Sequence, residues 1–115
     1  MKHNINRGDV YYVEFGQTVG SVQGGYRPVV VLQNNIGNKY SSTVIVATIT
    51  SKSYKKREMP THIVFTIDGL DKESIVQLEQ ITTIDKRQII NYVGTMPISI
   101  MEQIDEAVKI SLSLN

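Results

Sequence analysis

The sequence contains no cysteine among its 115 residues, and it has only two histidines and three prolines. The absence of cysteine excludes disulfides, thiolate nucleophiles and cysteine-ligated zinc sites. His3 and His62 lie far apart in the chain, and no histidines or carboxylates recur at a convincing ligand spacing, so we expect no metal and no cofactor. No apolar run is long enough to span a bilayer, and the polar N-terminus lacks the apolar segment of a signal peptide. We therefore expect a cytoplasmic protein without a membrane segment.

The composition is that of one folded domain covering residues 1–115, since 41% of the residues are hydrophobic and 20% are charged. The net charge of +1 conceals an uneven distribution. Residues 1–66 carry eight basic and three acidic side chains, whereas residues 67–115 carry four basic and eight acidic ones. This asymmetry suggests one face that binds a polyanion, although an ordinary acidic helix would also produce it.

The hydrophobic pattern predicts five to six short strands followed by one helix. Strands are expected at residues 9–15, 28–33, 43–50, 62–68, 74–84 and 89–95, with a turn at residues 34–38. The helix is expected over about residues 100–112, begins with a capping box formed by Ser99 and Glu102, and presents an apolar face. That face consists of Met101, Ile104, Ala107, Val108 and Leu112. The fold class is therefore mainly β with α: a small, strongly bent sheet or barrel capped by a C-terminal helix.

The segment Gly20–Pro28 holds one arginine, Arg27, between a glycine-rich loop and an apolar strand. Pro28 restricts Arg27 to extended geometry, and an arginine fixed at the end of a strand is well suited to bind a phosphate. The same pattern also fits a plain turn with an arginine that pairs with a surface carboxylate. Thr50, at the end of a predicted strand, cannot be distinguished by composition from Thr48 and Ser51.

The chain carries a series of short motifs: Arg7-Gly8-Asp9-Val10-Tyr11, Gly20-Ser21-x-Gln23-x-Gly25-x-Arg27-Pro28, Val31-Leu32-Gln33-Asn34, Ala47-Thr48-Ile49-Thr50, Pro60-Thr61-His62 and Leu78-Glu79-Gln80-Ile81-Thr82-Thr83-Ile84-Asp85. Over about residues 7–112 this series resembles the MazF/PemK family of toxin endoribonucleases, especially the MazF toxins of Gram-positive bacteria. Each motif is weak alone, but their order and spacing together are specific.

The resemblance implies a fold, an activity and partners. The fold would be an SH3-like β-barrel with a C-terminal helix, assembled as a homodimer. The activity would be sequence-specific, metal-independent cleavage of single-stranded mRNA that leaves 2′,3′-cyclic phosphate and 5′-hydroxyl ends. A cognate MazE-type antitoxin would neutralise the enzyme by covering its RNA groove. The alternative is a binding module of the same fold that is catalytically inactive or directed at gyrase.

The resemblance also implies site residues. Arg27 and Thr50 match the family's catalytic arginine and threonine. RNA binding is expected from residues in four segments, namely Ser21, Gln23, Lys52, Lys56, Thr61, His62 and Gln80. The cluster Lys52, Lys55, Lys56 and Arg57 would grip the RNA backbone, although a solvated loop is the simpler interpretation of its charges. This chain departs from the family at Val22, where many relatives carry a glutamate that could affect base preference or the fit of the antitoxin.

Overall fold

The computed structural model describes residues 4–20, 22, 24–51 and 59–115. Within them lie six strands, two α-helices and one short 3-10 turn at Lys86–Gln88. The strands and helices are β1 (Asp9–Glu14), β2 (Tyr26–Val31), α1 (Asn35–Tyr40), β3 (Thr43–Ser51), β4 (His62–Phe65), β5 (Ser74–Asp85), β6 (Ile89–Thr95) and α2 (Ile98–Leu112). No helix in these ranges is long and apolar enough to cross a membrane.

The strands form one antiparallel sheet in the order β4-β5-β3-β2-β1-β6. The prediction of a mainly β fold with five to six strands and a C-terminal helix is confirmed. Among the described residues β4 and β6 are the two edge strands, so the sheet is not closed by hydrogen bonds, although the fold is barrel-like. An irregularity between Ala47 and Thr48 interrupts the pairing of β3 with β5, and such bulges bend a strand.

Two hydrophobic clusters pack against the sheet. In the first, Val30, Ala47 and Ile49 meet the buried side of α2, which contributes Ile104 and Ala107. The second is lined by the alternate residues of the same strands: Val29, Val31, Val44 and Val46. Because successive side chains of a strand point to opposite faces, this division shows that β2 and β3 are buried on both sides. For β2, the continuous apolar run of residues 29–32 is typical of a strand that is buried on both faces.

The C-terminal helix ends at Leu112 as predicted, but its N-terminus and its apolar face differ from the prediction. It begins at Ile98, and its N-cap is Pro97, which makes no side-chain capping bond. The predicted capping box at Ser99 and Glu102 is therefore wrong, because Ser99 already lies inside the first turn. Leu112 is 54% exposed, so the predicted apolar face extends one turn too far.

The predicted turn at residues 34–38 is instead the start of α1. Asn34 is the N-cap of this helix, and its side chain accepts a hydrogen bond of 2.8 Å from the amide of Gly37. Asparagine favours both turns and helix N-caps, which is why its presence alone did not distinguish the two structures.

Candidate active site

Arg27 lies at the start of β2, at the base of a loop that folds back on itself. The amide of Phe15 donates to the carbonyl of Gly25, and the amide of Gly25 donates to the carbonyl of Gly16, both at 2.9 Å. Gly25 has a φ of 74°, a conformation that favours glycine over any residue with a side chain. The Nε of Arg27 donates to the carbonyl of Gly24 at 2.8 Å. The loop therefore orients the guanidinium group as well as the backbone of Arg27.

The register of β2 and β3 brings Thr50 close to Arg27. Val29 is paired with Thr48, and the same antiparallel register continued by two residues sets Arg27 opposite Thr50. Both residues line one cleft of about 300 Å³ at the end of these strands. The structure thus brings together the two residues that the family resemblance singled out.

Burial separates Thr50 from its two neighbours of similar chemistry. The side chain of Thr48 is buried, and its Oγ1 donates to Oε1 of Gln77 at 3.2 Å. Ser51 is exposed at the end of β3, whereas Thr50 is half-buried on the wall of the cleft. Thr50 and Ser51 both line the cleft, and of these two only Thr50 is partly buried there.

The rest of the cleft contains both polar and apolar groups. Pro28, Ile49 and Leu70 supply apolar surface, and Asp71 and Lys72 supply opposite charges. The remaining lining residues are Tyr12, Tyr26, Ser51 and Ser74. Tyr12, Tyr26 and Lys72 were not predicted as residues of this site. The two tyrosines could have been found from the pairing of β1 with β2, since Tyr12 opposes Pro28 and Tyr26 precedes Arg27.

Thr61 and His62 share one carboxylate, that of Glu79, as their hydrogen-bond partner. Thr61 Oγ1 donates to Glu79 Oε1 at 2.9 Å, and His62 Nε2 lies 2.7 Å from Glu79 Oε2. The His62 side chain is only 3% exposed. Burial alone would raise the pKa of Glu79, but the bonds from His62, Thr61 and its own backbone outweigh that effect and lower it. Glu79, which was not predicted, therefore fixes two residues that were.

The remaining predicted RNA-binding residues are placed as follows. Gln80 is half-buried on β5, and Thr61, His62 and Gln80 are not among the described residues that line the cleft of Arg27 and Thr50. Ser21, Gln23, Lys52 and Lys56 lie outside the described residues, as do Lys55 and Arg57 of the basic cluster.

Val22, the position of the departure from the family, is 56% exposed. Its carbonyl accepts a bond of 2.6 Å from Thr18 Oγ1. In the described part of the chain, no group of three or more histidine, cysteine, aspartate or glutamate side chains is arranged to hold a metal ion.

Comparison with known proteins gives a consistent result. Residues 6–112 match the family described as PemK-like, MazF-like toxin of type II toxin-antitoxin system. Endoribonuclease EndoA of Bacillus subtilis is 44% identical over 112 residues, covering 96% of each chain. The crystal structure of MazF from Deinococcus radiodurans has a TM-score of 0.83 at 18% identity and covers 98% of this chain and 100% of that one. A mycobacterial endoribonuclease in complex with its cognate antitoxin has a TM-score of 0.81 at 24% identity, covering 96% and 97%. These two structural similarities show that the fold is shared.

Proposed function

This chain belongs to the PemK-like, MazF-like toxin family of type II toxin–antitoxin systems, and from that premise we propose how its endoribonuclease activity works. It cuts single-stranded mRNA at short specific sequences, needs no metal ion, and leaves 2′,3′-cyclic phosphate and 5′-hydroxyl ends. The observation that carries this proposal is the presence of Arg27 and Thr50 in one cleft. The alternative of an inactive or gyrase-directed module is not favoured by 44% identity with an endoribonuclease.

The reaction is an attack by the ribose 2′-oxygen on the adjacent phosphorus. The O2′–P bond forms and the P–O5′ bond breaks, while one proton leaves the 2′-hydroxyl and another reaches the departing 5′-oxygen. Negative charge accumulates on the phosphoryl oxygens in the transition state. Fixed hydrogen-bond donors directed at those oxygens stabilise that charge.

Arg27 supplies these donors. Its Nε is occupied by the Gly24 carbonyl, which leaves the terminal nitrogens to bind the phosphoryl oxygens in the cleft. Because a guanidinium group loses its proton only far above neutral pH, its role is electrostatic rather than that of a general acid.

Thr50 positions the reacting group. A threonine hydroxyl both donates and accepts hydrogen bonds, so it can orient the 2′-hydroxyl or bind the phosphate, but it is a weak base. Its place on a paired strand, with Ile75 of β5 opposite, holds it in a defined position. Catalysis in this cleft then depends mainly on orientation and charge.

The RNA extends beyond this cleft. His62 on β4, Thr61 just before it and Gln80 on β5 would contact it, as would Ser21, Gln23, Lys52 and Lys56. The carboxylate of Glu79 holds Thr61 and His62 in place.

The partners proposed for this chain follow from its family. A cognate MazE-type antitoxin would cover the RNA-binding surface in the bacterial cytoplasm. A mycobacterial endoribonuclease of the same fold has been solved in complex with its cognate antitoxin, which supports such a partner. Two copies of the chain form a homodimer. Ile110, Leu112 and Leu114, each more than half exposed on or just beyond α2, supply apolar area for such an interface.

The test is incubation of the purified protein with a long single-stranded RNA in excess EDTA, followed by mapping of the cut sites and of the end groups. We expect cuts at one short recurring sequence with cyclic phosphate on the 5′ fragment. Intact RNA after incubation with well-folded protein would refute the proposal, and a supercoiling assay on the same sample would then test the gyrase alternative.

A further inference from the structure

Two tyrosines stack on each other beside the candidate active site. The rings of Tyr12 on β1 and Tyr26 on β2 are nearly parallel, with an interplanar angle of 4° and 4.7 Å between their centroids. They occupy a diagonal position across the two strands, since Tyr12 opposes Pro28 and Glu14 opposes Tyr26. Both line the cleft that contains Arg27 and Thr50.

Tyr26 is exposed although it is held rigidly. Its surface is 51% exposed, and neither tyrosine belongs to the two hydrophobic clusters found among the described residues. One face of its ring is covered by Tyr12, so the exposed surface consists of the other face and the edges. Asn91 Nδ2 donates to the Tyr26 hydroxyl at 3.3 Å and restrains the ring from the side of β6. A ring fixed in this way loses little conformational freedom when a ligand binds.

We propose that the exposed face of Tyr26 is a stacking platform for a nucleobase next to the scissile phosphate. This inference rests on the proposed function, because it assigns a binding role within the same cleft. Exposed aromatic faces are the usual means by which proteins hold the unstacked bases of single-stranded RNA.

The strand geometry explains how one nucleotide could use both residues. Successive side chains of a strand leave it on opposite faces, so Tyr26 and Arg27 diverge from neighbouring backbone positions. In a nucleotide the base and the phosphate likewise diverge from the sugar. Tyr26 therefore binds the base while Arg27 binds the phosphate, and the cleft at the strand end accommodates both.

The test uses an RNA oligonucleotide built around the mapped cut site, with a 2′-deoxyribose at the cut nucleotide to block the reaction. The fluorescent base 2-aminopurine replaces the base on either side of the scissile phosphate in turn, and its emission is quenched when it stacks on an aromatic ring. We expect wild-type protein to quench one of the two probes. Tyr26→Ala and Tyr26→Leu should lose that quenching, whereas Tyr26→Phe should keep most of it.

Kinetics on the cleavable RNA provide a second readout. Loss of one base–aromatic stack corresponds to a rise in KM of about 5- to 160-fold in Tyr26→Ala, with a smaller change in kcat. Tyr40→Ala is the matched control, because Tyr40 is 76% exposed on α1 and does not line the cleft. Urea denaturation of each variant checks that the fold is retained.

The outcomes separate this inference from the proposed function. If wild-type protein cuts RNA in EDTA while Tyr26→Ala and Tyr26→Leu keep wild-type quenching and KM, the platform is refuted and the nuclease proposal stands. Equal losses in Tyr26→Ala and Tyr26→Phe would also refute stacking, since the effect would then belong to the hydroxyl. If wild-type protein leaves the RNA intact, the proposed function itself fails.

Discussion

Replacing Arg27 with alanine should separate catalysis from stability. The substitution removes the guanidinium group from the cleft and also removes one hydrogen bond, from Nε to the carbonyl of Gly24. That bond is short, at 2.8 Å, but it is local, and a typical hydrogen bond contributes about 1 kcal/mol to the net stability. We therefore expect the free energy of unfolding to fall by about 1 kcal/mol and the fold to persist.

The expected effect on catalysis is much larger. Removing one preorganised donor from a developing oxyanion costs about 10²- to 10³-fold in kcat, which is about 2.7–4 kcal/mol of transition-state stabilisation. Arg27→Lys tests whether the several nitrogens of the guanidinium group are needed. Lysine keeps the charge but places it on a single nitrogen, so it cannot make both the bond to Gly24 and the contact with phosphate. We expect this variant to recover only a small part of the lost rate.

The assay is single-turnover cleavage of the mapped RNA sequence, with urea denaturation of the same samples. Arg87→Ala is the matched control for the loss of a positive charge, since the Arg87 side chain is 89% exposed and outside the cleft. Cleavage by Arg27→Ala within tenfold of the wild-type rate would refute the assigned role. A fall in unfolding free energy of several kcal/mol would instead show that Arg27 is mainly structural.

Two further predictions concern the fold that holds the site. Glu79→Gln should lower the stability at neutral pH, because the lowered pKa of Glu79 means that its carboxylate stabilises the fold only while it is ionised. The difference in stability from wild type should therefore shrink as the pH falls below about 4.5. Urea midpoints between pH 7 and pH 3 measure this difference, and a constant difference would contradict the role of the bond from Glu79 to His62. Ile104→Ala should cost about 2–5 kcal/mol, because Ile104 is fully buried on the inner side of α2. Ile110→Ala, at a 55% exposed position of the same helix, should change the stability by less than about 0.5 kcal/mol in the monomer. Equal effects of these two substitutions in thermal unfolding would show that the packing of α2 is misassigned.

The strands were predictable because their chemistry is local. The predicted strand at residues 89–95 coincides with β6 (Ile89–Thr95), and the strand at residues 43–50 falls within β3 (Thr43–Ser51). β-Branched residues on both faces of β3 favour a strand, and no other residue in that stretch favours a different structure. The N-terminus of α2 was harder to place, because both Pro97 and Ser99 favour helix starts and the choice depends on how the helix packs.

Less of the candidate site could be predicted, because it depends on pairing between distant residues. Arg27 was indicated by its own loop as a phosphate-binding residue, whereas Thr50 came from the family resemblance alone. Their proximity arises from the register of β2 with β3. Nothing local in the sequence links Glu79 to Thr61 or His62, since β4 must first pair with β5. The Tyr12–Tyr26 stack likewise depends on the pairing of β1 with β2.

The central claim is that the ribose 2′-oxygen attacks the phosphate in the cleft formed by Arg27 and Thr50. The most direct measurement compares cleavage of the mapped RNA sequence in EDTA with cleavage of the same RNA carrying a single 2′-deoxyribose at the cut nucleotide. We expect the all-ribose RNA to be cut to a 2′,3′-cyclic phosphate and the substituted RNA to remain intact at that site. Cleavage of the substituted RNA at the same bond, or a 3′-hydroxyl on the upstream fragment of either RNA, would contradict it.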